Sequence, residues 1–280
     1  MSAPTALVDV AWLAENTASV VILDASIRRG DGEEEPAFSS GRTDFEADHI
    51  QGARFADLFT EFSDPDDPLP FMRPSARQVA DTLARHGITD GTEVVVYDRL
   101  NGAWAARLWW VLRSFGIGAR VLDGGLTAWT SAGLPTESGP SRPVSPVTAP
   151  AVQDHSDLVA HLDEVAAATG LLVCGLRREE FDGDPADPLS GHIPGSVSLP
   201  YAQTLDAAGR HDAAGTRKLA AEAGIGVGGP APILYCGGAV NAAGVALALH
   251  EIGITDVRIY DGSLSEWRSN PERPLAQTVS

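Results

Sequence analysis

The sequence predicts an α/β protein of two tandem domains, each a parallel sheet flanked by helices. Three observations carry that prediction. The segments EVVVYDRLNGAWAARLWWVLRSFGIGARVLDGGLTAW (93–129) and APILYCGGAVNAAGVALALHEIGITDVRIYDGSLSEW (231–267) share one outline: strand-like run, helix-like run, turn, second strand, Asp-Gly, tryptophan. Their landmarks keep step, with 25 residues both from Asp98 to Asp123 and from Cys236 to Asp261, and 31 both from Asp98 to Trp129 and from Cys236 to Trp267. Between the copies lies SGPSRPVSPVTAP (138–150), rich in Pro and Ser and without periodicity, which reads as an extended linker.

In chain order, VVILDAS (20–26) is an apolar strand-like run that opens the first domain, residues 1–137, and DHIQGARFADL (48–58) is the turn segment after it. EVVVYD and ARVLDGG bracket a helix-like stretch ending at Phe-Gly-Ile. In the second domain, residues 151–280, LLVCGLR (171–177) answers VVILDAS and GHIPGSVSLPY (191–201) answers DHIQGARFADL. ILYC and VRIYDGS then bracket the helix-like run that ends at Ile-Gly-Ile. Short apolar strands alternating with helical segments imply parallel sheets covered by helices. Self-similarity over this length means two copies of one fold rather than an array of small repeats.

Composition narrows the function. The formal net charge is −18, with Lys218 the single lysine beside 19 arginines. Nucleic acid is not an expected partner, because phosphate binding needs a concentrated basic face. The acidic balance also disfavours anionic membranes, and no apolar run approaches the roughly 18 residues of a membrane span. The N-terminus lacks a basic region followed by an apolar one, so a cytoplasmic location is expected. Cys174 and Cys236 are the two cysteines. Without Cys-x-x-Cys or clustered histidines, neither a metal site nor a cofactor is expected.

In parallel sheets the ligand site lies at the carboxyl ends of the strands. Cys236 follows such an end, and its counterpart in the first copy is Asp98. One copy keeps the chemistry and the other supplies a wall. The loop after the thiol, Gly237, Gly238, Ala239, Val240 and Asn241, carries no acidic or basic side chain.

These residues resemble the two-domain rhodanese family of sulfurtransferases over essentially the whole chain. The marks are DHIQGARFADL, VVVYDRLNGAWAARLWW, VLDGG and Trp129 in the first half, and GHIPGS, the strand-Cys-loop-helix and YDGSLSEW in the second. The resemblance implies that Cys236 takes sulfane sulfur from a small-molecule or protein donor, becomes a persulfide, and passes the sulfur to a thiol or other nucleophile. Gly237 looks like the mercaptopyruvate-type loop, whereas thiosulfate-type loops carry a basic residue there. Backbone N–H groups of residues 237–241 can point inward around the sulfur, and the helix opening near Asn241 adds its positive end. Both favour the thiolate that attacks sulfur. Asn241 is expected to act as the helix N-cap.

The chain departs from the family pattern around that loop. Gly238 stands where mercaptopyruvate-type enzymes have serine, and Phe71 where they have histidine, while the corresponding aspartate, Asp57, is kept. VCGLRREEFDG places Cys174 for an aspartate, Leu176 for an arginine, and Glu180 where the substrate-gripping arginine would stand. A carboxylate repels an anionic donor, so thiosulfate and mercaptopyruvate are doubtful substrates and a neutral, cationic or protein-borne donor fits better. Arg177, Arg178 and Arg73 are candidates to compensate, with surface solvation as their other reading. Cys174 is either a small buried strand residue or a resolving thiol that attacks the Cys236 persulfide.

The remaining marked residues read as structural. His49 and His192 occupy equivalent places and suggest a repeated hydrogen bond. Trp109, Trp110, Trp129 and Trp267 read as core, Arg107 as a partner for an acid, and DGEEE (31–35) as a solvated loop. Two functions stay open: a sulfurtransferase working through Cys236, or a catalytically reduced homologue that binds a ligand or carries sulfur. A cysteine phosphatase would need arginine six residues after the cysteine, where this chain has Ala242.

Overall fold

The computed structural model describes residues 5–30, 36–167 and 170–278, so the acidic run 31–35 lies outside the described residues. The chain divides into two compact units, Thr5–His155 and the chain from Ser156 onward. In the first unit five strands lie in the order Leu7–Val8, Arg120–Leu122, Glu93–Tyr97, Val20–Asp24, Arg54–Phe55, every neighbour parallel. The second unit repeats that order with Val159–Ala160, Arg258–Tyr260, Ile233–Tyr235, Leu172–Cys174 and Val197–Ser198. Short Val-, Ile- and Leu-rich runs suit this sheet because parallel strands are buried on both faces.

The middle strand of each sheet runs into the most buried helix of its unit. Ala103–Arg113 buries every residue from Ala103 to Leu112, and Val240–Glu251 buries Ala242 to Leu249. A helix apolar all round belongs inside a fold. Gly244 is needed for close approach, since a Cβ there would lie 2.5 Å from the Tyr201 ring. On one face of each sheet a matching core assembles: Ile22, Phe45, Val95, Tyr97 and Trp129 in the first unit, Leu172, Phe181, Ile233, Tyr235 and Trp267 in the second.

The repeated histidines share one environment. His49 Nδ1 donates to the Phe45 carbonyl at 2.7 Å and its ring stacks on Phe45. His192 Nδ1 donates to the Phe181 carbonyl at 2.7 Å and stacks on Phe181. The tryptophans match too, with Trp129 Nε1 donating to the Pro135 carbonyl and Trp267 Nε1 to the Pro274 carbonyl, each at 3.0 Å. These bonds tie the end of each repeat to the helix that carries its tryptophan.

Residues 138–150 contain neither helix nor strand but lie along the first unit. The Gly139 amide donates to the Glu46 carbonyl, the Phe55 amide to Ser141 Oγ, and the Val147 amide to the Ala84 carbonyl. A Pro-rich chain has few amides to offer a ladder, so it spends them singly on whatever it crosses. Among the described residues no helix is long and apolar enough to cross a membrane.

The first unit also holds a partly buried Glu–His contact that predicts its acid response. Burial opposes ionisation of Glu61, but His86 (Nε2 3.2 Å from Oε2), the Asp57 amide and Arg85 together hold its carboxyl below the ordinary 4.5. A carboxyl ionising more readily folded than unfolded stabilises the fold above its ordinary value and loses that contribution as pH falls through the folded value. Glu61→Gln is therefore expected to flatten the loss of melting temperature below about pH 4.5, measured as thermal unfolding against pH.

Candidate active site

Strand Ile233–Tyr235 delivers Cys236 to its carboxyl end, where the residue is 2 % exposed. Helix Val240–Glu251 starts four residues later, and its N-cap is Ala239 with φ 61° and no side-chain cap bond. The expectation that Asn241 caps this helix is therefore corrected: Asn241 sits within the first turn. The chain enters the helix through one left-handed residue, so the turn closes earlier than an asparagine cap would place it.

The loop is held from below by Ser263–Trp267. Ser263 Oγ accepts the Cys236 amide at 3.2 Å and the Ala239 amide at 3.1 Å, and donates to the Tyr260 carbonyl at 2.9 Å. The Ala239 amide is thus removed from the set expected to surround the sulfur. The Leu264 amide donates to the Cys236 carbonyl at 3.0 Å, and both the amide (3.0 Å) and the hydroxyl (2.8 Å) of Ser265 donate to the Gly237 carbonyl. Among the described residues, the amides of Gly237, Gly238, Val240, Asn241 and Ala242 meet no backbone carbonyl. Ser263 adopts φ 50°, a conformation that costs a non-glycine residue about 1–2 kcal/mol, and its three bonds offset that cost.

The first unit shows what such a loop does with an anion. Asp98 Oδ1 accepts the amides of Leu100 and Gly102 at 2.8 and 3.0 Å, and Oδ2 those of Trp104 and Ala105 at 3.0 and 2.9 Å. Burial raises the Asp98 carboxyl above its ordinary value, with these four N–H groups opposing. Trp104 and Ala105 are the second and third residues of Ala103–Arg113. Asn241 and Ala242 hold those places in Val240–Glu251. The Ala242 amide was missed in the sequence because its role depends on where the helix begins.

A family model for the rhodanese-like domain matches residues 9–132 and 178–270. The chain is 37% identical to a putative thiosulfate sulfurtransferase, SseB, of Mycobacterium tuberculosis, over 92% of this chain and 91% of that one. The chain belongs to the rhodanese family. It is also 33% identical to the 3-mercaptopyruvate sulfurtransferase of Rattus norvegicus, covering 99% of this chain and 98% of that one. Among solved structures, SseA of Escherichia coli, a 3-mercaptopyruvate sulfurtransferase, matches with a TM-score of 0.77 and 26% identity over 92% of this chain and 98% of that one. The Leishmania major 3-mercaptopyruvate sulfurtransferase gives 0.81 and 25% identity over 95% of this chain and 75% of that one.

Within this rhodanese, Cys174 closes strand Leu172–Cys174 beside Tyr235 and is fully buried. Burial, with the Cys236 thiol and Glu180 adding, pushes its thiol up to about 12 against the Leu176 amide and Tyr235. The Tyr235 hydroxyl accepts the Ile193 amide at 3.0 Å and bonds Ser196 Oγ at 2.6 Å. In the first unit Asp24 takes the same register beside Tyr97, whose hydroxyl accepts the Ile50 amide at 3.2 Å. Cys174 thus occupies a register position that recurs in both units of the doubled fold.

The arginines weighed from the sequence are all engaged. Glu180 Oε2 accepts both the amide (3.3 Å) and Nε (3.1 Å) of Arg177, capping helix Arg178–Asp182. Arg178 Nε donates to both Asp182 oxygens at 3.0 and 2.9 Å. In the first unit Arg73 donates to Ser114 Oγ, the Ser114 carbonyl and Asp154, and stacks over Phe115. Asp57 accepts Ser40 Oγ on Oδ2 and the Phe59 amide on Oδ1. Phe71, with φ 64°, packs edge-on against Phe59 and Trp104, and its carbonyl accepts Arg107 Nη2. Arg107 also lies over the Trp110 ring. Among the described residues no cluster of three or more His, Cys, Asp or Glu could hold a metal ion.

Proposed function

We propose that the protein transfers sulfane sulfur through a persulfide on Cys236, from a donor that is not a small anion. The observation that carries this reading is the loop itself. A cysteine stands at a sheet's carboxyl end, the opening of a 12-residue helix follows, and a row of amides there meets no backbone carbonyl among the described residues. Amides and a helix start favour an anionic sulfur, and Asp98 occupies the matching position of the first unit as a carboxylate ligand of its own loop. The Cys236 thiolate attacks the outer sulfur of a donor RS–SH. The donor's S–S bond breaks with its electron pair leaving on RS⁻, and Cys236 holds the persulfide. An acceptor nucleophile then takes the outer sulfur, and the Cys236 thiolate leaves.

The donor class rests on charge. Arg177 and Arg178 pair through Nε with Glu180 and Asp182, so the cations of this stretch are charge-balanced by their own neighbours. The test uses thiosulfate, 3-mercaptopyruvate, inorganic polysulfide and the cationic persulfide of cysteamine, with intact mass reporting a cyanide-labile sulfur on Cys236. The cationic persulfide is expected to load at least about tenfold faster than thiosulfate or mercaptopyruvate. Equal loading by thiosulfate overturns the donor class. No loading by any donor, with Cys236→Ala behaving identically, leaves a binding module in place of the transferase.

A further inference from the structure

Gly237 and Gly238 form the least constrained peptide beside the thiol. Neither has a positive φ, a Cβ on Gly237 would meet nothing within 4 Å, and one on Gly238 would meet only Ser265 Oγ at 3.9 Å. Backbone and packing therefore do not demand glycine at either place, and neither residue has a side chain to fix its peptide plane. Consecutive glycines tolerate both orientations of the peptide between them. In one orientation the Gly238 N–H faces the side where the loop amides meet no backbone carbonyl; in the other the Gly237 carbonyl does.

Ser265 decides between them. Its amide and hydroxyl both hold the Gly237 carbonyl, at 3.0 and 2.8 Å. In a planar trans peptide the C=O and the following N–H point in opposite directions. A carbonyl drawn onto Ser263–Trp267 thus turns the Gly238 N–H away from that helix. The Leu264 bond to the Cys236 carbonyl turns the Gly237 N–H the same way. The first unit keeps only the second of these bonds, from the Leu126 amide to the Asp98 carbonyl at 3.0 Å. Among the described residues Thr127, at the place of Ser265, gives the Arg99 carbonyl no such bond, and the Asp98 carboxylate organises that loop instead.

We infer that Ser265 is a positioning residue for Cys236, its hydroxyl locking the Gly237–Gly238 peptide so that an N–H rather than a carbonyl faces the sulfur. The inference rests on the reading of Cys236 as the sulfur-bearing nucleophile. A carbonyl turned inward would repel a thiolate or persulfide, whereas the N–H attracts it, so the hydroxyl acts on reactivity through the loop without touching substrate.

The test compares the wild-type protein with Ser265→Ala and Ser265→Thr, reading iodoacetamide alkylation of Cys236 against pH, persulfide loading from polysulfide, and melting temperature. Ser265→Ala is expected to slow Cys236 alkylation at neutral pH about tenfold, the worth of one hydrogen bond to a charged group, and to move its pH profile upward. Ser265→Thr keeps the hydroxyl and is expected to restore both. If Ser265→Ala melts early, the isosteric pair Ser265→Thr and Ser265→Val isolates the hydroxyl in the same readouts. Coincident pH profiles with and without the hydroxyl overturn the inference. A shifted profile with no sulfur loading from any donor upholds Ser265 as the positioning residue and removes the transferase reading alone.

Discussion

Cys236→Ser is expected to lower sulfur transfer by at least about 10³-fold, the scale on which removing a covalent nucleophile acts. The loop offers no side-chain base, so a hydroxyl at 236 would remain protonated and could not open a donor S–S bond. Cys174→Ala is expected to keep transfer, because a thiol held near 12 and wholly buried stays protonated at neutral pH and is not an attacking thiolate. Single-turnover loading followed by intact mass checks both variants. A cyanide-labile sulfur retained by Cys236→Ser would remove Cys236 from the chemistry, and lost turnover in Cys174→Ala would restore the resolving-thiol role.

Asp98→Ala is expected to destabilise the first unit by about 3 kcal/mol, since several buried N–H groups lose their acceptor at once. Asp98 is 1 % exposed and accepts four amides, two of them at the start of helix Ala103–Arg113. Asp98→Asn is expected to cost nearly as much, because its amide NH₂ would face N–H donors where a carboxylate oxygen accepted two of them. Thermal unfolding and hydrogen exchange of the Ala103–Arg113 amides measure the effect. A melting temperature unchanged in both variants would mean that the loop holds its shape without the carboxylate.

The doubled fold was legible because its signals are local and repeated. Equal spacings from Asp98 and Cys236 to their aspartates and tryptophans placed both residues at the same sheet end, and His49 and His192 proved to make the same bond. The candidate site was legible only in outline. Asn241 looked like a cap because the residue type suits one, but the left-handed turn at Ala239 starts the helix earlier. Arg73 is a candidate compensating cation by sequence, yet Asp154, 81 residues on, accepts its guanidinium at 2.6 Å. Glu180 was read for its charge at an anion position, whereas its place at the third residue of a short helix makes it a cap.

By itself the sequence determined that there are two copies of one sheet, that one carries a thiol and the other a carboxylate at the same strand end, and that the loop beside the thiol has no charged side chain. Those follow from hydrophobic period and spacing, which each segment encodes on its own. Only the tertiary structure decided which amides remain for the sulfur. Ser263 and Ser265 reach the loop from 24 and 28 residues away, one taking the Ala239 amide and the other turning the Gly237 carbonyl. No local pattern records such a choice, because it is made where a second helix meets the loop and buried polar groups must find partners there.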